Sequence, residues 1–217
     1  MEYPEKLVQL VQTRSKGMQL EGFVAGQGPR QPKLMLLGEA PGRNEVENHI
    51  PFSGAAGKEL IRAMDSVGLT RENTYITSAV RSRPFKGVHR INRKTQQPET
   101  VYPNRTPTKK EILAHAPIFD YELSVIEPPL IATLGNIGLQ RLLGSKRHVT
   151  EAHGQLYQGP VLELNPEQNG YQFSQKEYLV YPLYHPAAIF YNRSLTETIA
   201  EDWQQLGLLL KEREQHA

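Results

Sequence analysis

Two titratable residues follow apolar runs that have the length of buried strands. Glu39 stands in the turn 38–42, Gly-Glu-Ala-Pro-Gly, directly after the apolar residues 34–37. His185 opens the sequence His-Pro-Ala-Ala at the end of the apolar run 178–184. In an open α/β sheet the carboxyl ends of parallel strands meet at one edge, so a carboxylate and an imidazole can face one cleft. Together they could activate a water molecule and stabilise a developing anion.

Each of these residues also has a purely structural interpretation. Glu39 could stabilise the N-terminus of a following helix through its charge, and His185 could be a hydrogen-bonded, partly buried histidine at a strand end. A third apolar run, 73–80, contains Ser78 near its end, at the same expected sheet edge. Polar residues at the ends of several strands favour a functional cleft over the structural alternatives.

The segment 51–57, Pro-Phe-Ser-Gly-Ala-Ala-Gly, combines an aromatic residue with several small ones. Small residues let a backbone approach a flat or anionic group closely. The alternative is a tight strand-to-helix connection in which Phe52 belongs to the core. Taken alone, the segment is compatible with both.

Several other chemistries are excluded by composition or spacing. The chain has no cysteine, which rules out disulfides, thiolate metal sites and a cysteine nucleophile. The sequence Gly57-Lys58 lacks the remaining residues of a phosphate-binding P-loop, and no G-x-S-x-G nucleophile elbow is present. The seven histidines do not stand at metal-ligand spacings. We therefore expect neither a metal nor a cofactor.

Strands that alternate with helices predict an α/β fold. The apolar patterns indicate four buried strands and, between and around them, helices at 5–14, 58–67, 109–126, 136–143 and 194–212. We expect a three-layer αβα sandwich with a central, mainly parallel four-stranded sheet. At 217 residues the chain has the size of one domain. Segment 148–172 is expected to form edge strands or a hairpin, and the four strands are predicted at 33–37, 73–80, 129–134 and 178–184.

The positive charge is concentrated in one segment. The chain carries a net charge of +2, but the segment 81–110 holds nine basic residues and one acid, Glu99, which leaves 16 basic and 22 acidic residues elsewhere. Such a segment suggests a polyanionic partner, although a solvated loop rich in Lys and Arg is the alternative. The stretch 84–107 is predicted to be a long loop, an insertion at about 85–107. The basic residues are Arg81, Arg83, Lys86, Arg90, Arg93, Lys94, Arg105, Lys109 and Lys110.

Three sequence features bear on the compartment. The chain contains no apolar run of the roughly 18 residues that span a bilayer, and residues 1–10 lack the order of a secretory signal. With the absence of cysteine, these features predict a cytoplasmic protein that does not contact membranes.

Five motifs, in this order, resemble those of the uracil-DNA glycosylase superfamily, and most closely its iron–sulfur-bearing, thermophile-type branch. Their order and separation agree from about residue 23 to residue 195. The resemblance implies a single αβα domain that acts on DNA, flips a nucleotide out of the helix and hydrolyses its N-glycosidic bond. We expect the protein to be a monomer. The motifs are Gly-Glu-Ala-Pro-Gly at 38–42, Pro-Phe-Ser-Gly-Ala-Ala-Gly at 51–57, Tyr-Ile-Thr-Ser-Ala-Val at 75–80, Leu-Gly at 134–135 and His-Pro-Ala-Ala at 185–188.

The resemblance also implies roles for individual residues. Glu39 would orient or activate the attacking water, Phe52 would stack on the flipped base, and His185 would donate a hydrogen bond to the departing base anion. Ile189 would wedge into the gap left in the helix. Base-binding positions would be Gly38, Ala40, Pro41, Gly42, Phe52 and Ser78, and DNA-binding positions Gly54, Arg81, Arg83, Arg90, Arg93, Lys94, Ile189, Phe190 and Arg193.

The chain departs from the family pattern in three places. Ser78 stands where the family has an asparagine that reads the base edge, and a hydroxyl makes fewer fixed hydrogen bonds than a carboxamide. This puts uracil selectivity, and activity itself, in question. The cluster cysteines are absent: Ser82 and, approximately, His115 occupy two of their positions, so packing must hold that region together. The basic loop is longer than in the family, and we expect it to lie on the phosphate backbone with His89 near the site, unless it is a disordered insertion.

Three functional hypotheses follow. The first is a DNA glycosylase for a deaminated base, uracil first and hypoxanthine second. The second, motivated by Ser78, is a non-catalytic or weakly active DNA- or lesion-binding protein on the same fold. The third is an unrelated α/β hydrolase of a nucleoside-like metabolite, which the basic segment argues against because a small metabolite would not need it.

Overall fold

The computed structural model describes residues 1–215, which form nine strands and eight helices. The strands are β1 (Leu20–Glu21), β2 (Leu34–Gly38), β3 (Thr74–Ser78), β4 (Arg83–Pro84), β5 (Val88–Ile91), β6 (Pro98–Val101), β7 (Ile131–Leu134), β8 (Tyr157–Leu164) and β9 (Tyr171–Leu183). The helices are α1 (Glu5–Arg14), α2 (Arg43–Asn48), α3 (Ala55–Asp65), α4 (Lys109–Ile126), α5 (Gly135–Leu143), α6 (Val149–Ala152), α7 (Ala188–Tyr191) and α8 (Leu195–Gln215).

A central sheet of five strands has the order β3-β2-β7-β9-β8. The first four strands are parallel, with Leu36 of β2 opposite Ile76 on one side and Ala132 on the other. They are the four strands predicted from the sequence, and β9 begins earlier than expected. The fifth strand, β8, pairs antiparallel with β9 and is the first arm of the hairpin expected around 148–172. The mainly parallel α/β fold is therefore confirmed, with one additional edge strand.

Alternate residues of β2 belong to two different cores, one on each face of the sheet. Leu34 and Leu36 pack into a cluster with side chains of α3 and α8, including Trp203. Met35 and Leu37 pack into the other cluster with side chains of α4 and α5, including Phe119. Because every residue of β2 is buried, the strand reads as a continuous apolar run and not as an alternating pattern. The result is three layers with the sheet in the middle.

The longer helices lie close to their predicted positions. Helix α4 starts with a capping box in which the Glu111 N–H donates to Thr108 Oγ1 (3.3 Å) and the Thr108 N–H donates to Glu111 Oε2 (2.7 Å). The helix continues through Pro117 to its end at Ile126. Helix α3 begins three residues before the predicted start, with Gly54 as its N-cap. None of the helices within residues 1–215 has the length and apolar character needed to cross a lipid bilayer.

The segment 84–107, predicted to be a loop, forms an antiparallel hairpin. Strands β5 and β6 pair Val88 with Val101 and Ile91 with Pro98, and the pairing continues toward the body through the Lys86 N–H, which donates to the Pro103 carbonyl (3.2 Å). The prediction of an irregular loop was therefore wrong. Residues of β5 are exposed on both faces, so the strands lack the buried, alternating apolar residues from which a sequence pattern identifies a hairpin.

Hydrogen bonds hold the region around Ser82 and His115, the two positions at which the resemblance implies cluster cysteines. His115 is buried, its Nδ1 accepts the Arg81 N–H (3.1 Å), and its Nε2 lies 3.3 Å from Ser15 Oγ. Burial and the nearby Arg81 guanidinium lower the pKa of His115 to about 3. A neutral imidazole thus links α1, the segment after β3 and α4 in a part of the molecule that has no thiolates.

Candidate active site

A cavity of about 390 Å³ opens at the carboxyl ends of the parallel strands. This volume lies within the range of small-molecule sites, roughly 300–1,000 Å³. The sheet topology brings together residues that are more than a hundred positions apart in the chain, because β2, β3 and β9 all end at this edge. The predicted site residues among those that line the cavity are Ala40, Pro41, Gly42, Phe52, Gly54, Ser78, His185 and Phe190.

Phe52 is held against the cavity in an unusual backbone conformation. Its φ angle is +54°, a left-handed value that is uncommon for a bulky residue and that tends to occur at functional sites. Its carbonyl accepts a hydrogen bond from Arg71 Nη2 (2.9 Å). A side chain at Gly38 would collide with the Phe52 ring, and one at Gly57 would collide with the Phe52 carbonyl. These two glycines of the motifs are therefore required by the position of Phe52.

His185 presents a neutral imidazole beside Phe52, with the two ring centroids 5.9 Å apart. The Ala187 N–H donates to His185 Nδ1 (3.1 Å). Because Nδ1 accepts, the proton of the neutral ring resides on Nε2. Burial lowers the pKa of His185 to about 4. At neutral pH the ring is therefore an uncharged hydrogen-bond donor at the cavity.

Glu39 adjoins the cavity through its neighbour Ala40 and is not itself among the lining residues. It is half-buried at the end of β2, and its carbonyl accepts the Val80 N–H (3.1 Å). Burial raises the pKa of its carboxyl group, and a hydrogen bond with the Thr106 side chain acts in the opposite direction. The carboxyl group thus lies in a desolvated position at the same sheet edge as His185.

Glu45 is a cavity residue that sequence reasoning missed. Its Oε2 accepts the Gly42 N–H (3.0 Å) and its Oε1 accepts the Gly54 N–H (2.8 Å). The carboxylate therefore joins the turn after β2 to the start of α3, the two Gly-rich segments that form one wall of the cavity. The available signal was its position at the third residue of α2, where capping boxes place a glutamate.

Asn104 is a second missed residue, and its orientation is set by Arg83. Arg83 Nε donates to Asn104 Oδ1 (2.5 Å). With its oxygen engaged in this way, the carboxamide directs its Nδ2 donor toward Gly42, at the cavity wall. The signal in the sequence was an asparagine in Asn-Arg-Thr-Pro, directly after the basic hairpin.

Arg81 and Arg83, predicted to contact DNA, are interior residues, and this prediction was wrong. Arg81 is 1% exposed and forms an ion pair with the buried Glu122. Arg83 is 2% exposed and pairs with Glu21. Their acidic partners come from distant parts of the chain. The residues near each arginine in the sequence therefore gave no indication of an ion pair, and both were predicted to be exposed.

The short helix α7 forms part of the cavity rim. Ile189 is half-buried, whereas Phe190 is 53% exposed and Tyr191 is 91% exposed. Phe190 also lines the cavity, and Arg193 is exposed just beyond the helix. An aromatic pair therefore projects from the rim beside the isoleucine that the sequence identified.

The basic residues of the hairpin lie apart from the cavity. Arg90 forms an ion pair with Glu99 across the two strands (2.7 Å). Arg93 and Lys94 are exposed in the connecting turn, and within residues 1–215 their hydrogen bonds are made by their backbone groups alone. His89 lies on β5 with its Nδ1 2.9 Å from Thr100 Oγ1, and it is not among the residues that line the cavity. Within residues 1–215, no three His, Asp or Glu side chains are grouped so as to hold a metal ion.

Comparison with known proteins identifies the family. The model of the uracil DNA glycosylase superfamily matches residues 25–207. The chain belongs to the uracil-DNA glycosylase superfamily. It is 32% identical to the type-4 uracil-DNA glycosylase of Sulfurisphaera tokodaii over 184 residues, which are 84% of this chain and 72% of the relative. It is 34% identical to the type-4 uracil-DNA glycosylase of Saccharolobus solfataricus over 184 residues, which are 84% of this chain and 74% of the relative. It is 30% identical to the type-4 uracil-DNA glycosylase of Archaeoglobus fulgidus over 191 residues, which are 86% of this chain and 81% of the relative.

Membership of the superfamily confirms the resemblance based on the five motifs. The matched region, 25–207, contains Phe52, Ser78 and His185, the three side chains that β3, β9 and the segment before α3 bring to the cavity. This superfamily member differs from the cluster-bearing branch in having no cysteine in its sequence.

Proposed function

We propose that this protein is a DNA repair glycosylase that flips a deaminated base, uracil first, into the cavity and hydrolyses its N-glycosidic bond. The observation that carries the proposal is the neutral donor of His185 beside the strained Phe52 in a cavity of suitable size. A base that enters the cavity can stack on the Phe52 ring while its oxygen atoms approach His185 Nε2. Flipping is necessary because the bond cannot be reached inside the helical stack.

In this proposal His185 stabilises the leaving group. Breakage of the N-glycosidic bond leaves negative charge on the base, and a fixed donor in a dry site stabilises such charge more strongly than water does. Because His185 is neutral, it donates Nε2–H without having to lose an ionic proton. Burial strengthens the same interaction by excluding water from the ring.

Glu39 acts on the other side of the reaction. We assign to its carboxylate the orientation of the attacking water and the stabilisation of the positive charge that develops on the sugar. Its backbone is fixed by the hydrogen bond from Val80, and Glu45 holds the adjacent turn in place through Gly42. The carboxyl group is thereby positioned by the same two strands that carry Gly38 and Ser78.

The rim and the hairpin supply the contacts with DNA. Ile189 and the exposed aromatic residues of α7 occupy the gap left by the flipped nucleotide, since apolar side chains that enter a base step can unstack it. Arg93 and Lys94 contact phosphates from the hairpin turn. We assign the activity to a monomer, because one chain contains the whole cavity. We place it in the cytoplasm.

The test is an excision assay with oligonucleotides that contain a single uracil, in single-stranded and double-stranded form, scored for abasic sites. His185→Ala and Glu39→Gln should each lower the single-turnover rate by roughly 10²–10⁴-fold. The matched controls are His148→Ala and Glu47→Gln, which change exposed residues of the same types outside the cavity wall. Salt-sensitive binding by the wild-type protein without any abasic product would instead establish a binding protein.

A further inference from the structure

The hydroxyl group of Ser78 has a restricted set of hydrogen bonds available to it. Ser78 is the last residue of β3, lines the cavity and is 9% exposed. A serine hydroxyl offers one donor and two acceptor positions. Which of these remain free decides what the residue can recognise in a bound base.

The single donor is already in use. Ser78 Oγ donates to the Val80 carbonyl (2.8 Å), an oxygen that can only accept. One acceptor position faces Arg81, whose Nη1 lies 3.4 Å from Ser78 Oγ, and a guanidinium group can only donate. One lone pair of Oγ is left, and the cavity is the remaining direction from which a partner can approach.

A buried network prevents the hydroxyl from changing partners. Arg81 also donates to the Ser78 carbonyl and pairs with Glu122. The Glu122 carboxylate accepts from Tyr75 Oη (2.9 Å) and Thr77 Oγ1 (2.7 Å) as well. Since Ser78, Arg81 and Glu122 are buried, rotation of the Ser78 hydroxyl toward the cavity would leave the buried Val80 carbonyl without its donor, which is unfavourable.

We propose that Ser78 acts toward the base as an acceptor only, and that the site therefore selects bases with a ring N–H beside a carbonyl group. Deamination creates this group: the N3 atom of cytosine is an acceptor and becomes N–H in uracil, and the N1 atom of adenine becomes N–H in hypoxanthine. An undamaged cytosine or adenine would direct a ring lone pair at the Ser78 lone pair. A site built around one hydrogen bond rejects the base that cannot make it.

The inference rests on the proposed function and defines its substrate class. A carboxamide at this position would present a donor and an acceptor and would read two adjacent groups of the base. The single oxygen of Ser78 reads one N–H, which uracil and hypoxanthine share. We therefore expect the protein to excise both bases, with single-turnover rates within about tenfold of each other.

The experiment measures single-turnover excision of uracil, hypoxanthine, cytosine and adenine from otherwise identical oligonucleotides. Ser78→Ala should lower the rates for uracil and hypoxanthine about tenfold each, as expected for about 1.4 kcal/mol of one lost hydrogen bond. Ser78→Asn should raise the rates for both bases, because its amide adds a donor toward the carbonyl group that lies beside the ring N–H in each of them. The matched control is Ser66→Ala, which removes an exposed hydroxyl that also donates to a backbone carbonyl, that of Ala63 (2.7 Å), and should leave all rates within twofold.

A second substrate separates recognition from folding. In 3-deazauracil a C–H group replaces N3–H, so Ser78→Ala should cause no further loss with this base, even if the variant is less stable. An equal loss with uracil and 3-deazauracil would overturn the inference, and so would excision of uracil at the wild-type rate by Ser78→Ala. Wild-type protein that cleaves uracil but not hypoxanthine would also overturn it while leaving the proposed function intact. No abasic sites from any substrate would overturn both.

Discussion

The basic segment 81–110 divides into two regions that differ in almost every physical respect. Next to the cavity, Arg81 and Arg83 are buried and are neutralised by Glu122 and Glu21. In the hairpin turn, Arg93 and Lys94 are exposed, and their backbone groups make the hydrogen bonds that the described part of the chain shows for them. The first region uses arginine as a structural donor that orients other residues, and the second region carries charge that can meet a phosphate.

The difference shows that a cluster of basic residues in a sequence does not by itself predict a basic surface. The acidic residues that form ion pairs with the cluster must be known as well. The segment contains one acid of its own, Glu99, but three further carboxylates reach it from elsewhere, on Glu21, Glu111 and Glu122. The ion pair of Arg105 with Glu111 belongs to this inner group. The exposed basic side chains of the segment that remain for DNA are Arg93 and Lys94 at the far end of the hairpin, and Lys86, Lys109 and Lys110 nearer the body.

Of the substitutions that distinguish the two regions, Arg81→Met should have the largest effect on the free energy of unfolding. The substitution leaves Glu122 buried without its cation, and breaking a buried pair on one side typically costs about 3–5 kcal/mol. We expect a loss of about this size in the free energy of unfolding, measured by urea denaturation. The double variant Arg81→Met/Glu122→Gln removes both charges and should recover part of the loss. A change below about 1 kcal/mol in the single variant would contradict the structural role.

The second effect is a pH dependence of stability that arises from His115, which accepts a hydrogen bond from the buried Arg81. His115 has a folded-state pKa of about 3, below its unfolded value of about 6.5. The unfolded chain therefore binds more protons between these values, so His115 lowers stability as the pH falls from about 6.5 toward 3, by about 1.4 kcal/mol per pH unit. Denaturation curves at pH 7, 6 and 5 should show a smaller pH dependence in His115→Gln. The reduction should be close to this amount between pH 6 and 5, and about half of it between pH 7 and 6, where the unfolded imidazole is only partly protonated. Equal slopes in the two proteins would mean that the imidazole is not held neutral.

The smallest effect should come from the exposed residues of the hairpin turn. It should change DNA affinity and leave stability unchanged. Arg93→Ala/Lys94→Ala removes exposed charges, so the free energy of unfolding should change by less than about 0.5 kcal/mol. DNA affinity should fall, and the slope of log affinity against log salt should decrease by about 0.9 for each phosphate that the variant no longer neutralises. Fluorescence anisotropy at several salt concentrations measures both quantities. The control is Arg90→Ala, which removes a charge already paired with Glu99 and should reduce affinity less. If the salt dependence of the double variant equals that of the wild-type protein, the hairpin turn does not contact DNA.

The sequence predicted the elements whose signals are local. The apolar run 34–37 identified β2, the capping box at Thr108 identified the start of α4, and parallel topology predicted that Ser78 and His185 would meet. The partners of the arginines could not be read in the same way: Arg81 and Glu122 are 41 positions apart, and Arg83 and Glu21 are 62 apart. The first pair depends on how α4 packs on the sheet, and the second depends on the pairing of β1 with β4. No short window of sequence contains either arrangement.

Glu45 and Asn104 were missed for a related reason. Glu45 matters because its two oxygens accept backbone N–H groups of Gly42 and Gly54, and Asn104 matters because Arg83 turns its amide toward the cavity. In both cases the residue type is common on protein surfaces. Orientation gives each its role, and orientation appears only in three dimensions.

The position of β9 in the sheet has a consequence for synthesis of the chain. The wall formed by residues 38–78 leaves the ribosome early, whereas His185 and α7 follow more than a hundred residues later and dock beside β7. A nascent chain that lacks β9 therefore has only part of the cavity wall and lacks the His185 imidazole. In the proposed mechanism, activity therefore begins only after β9 has docked beside β7 and carried His185 to the cavity.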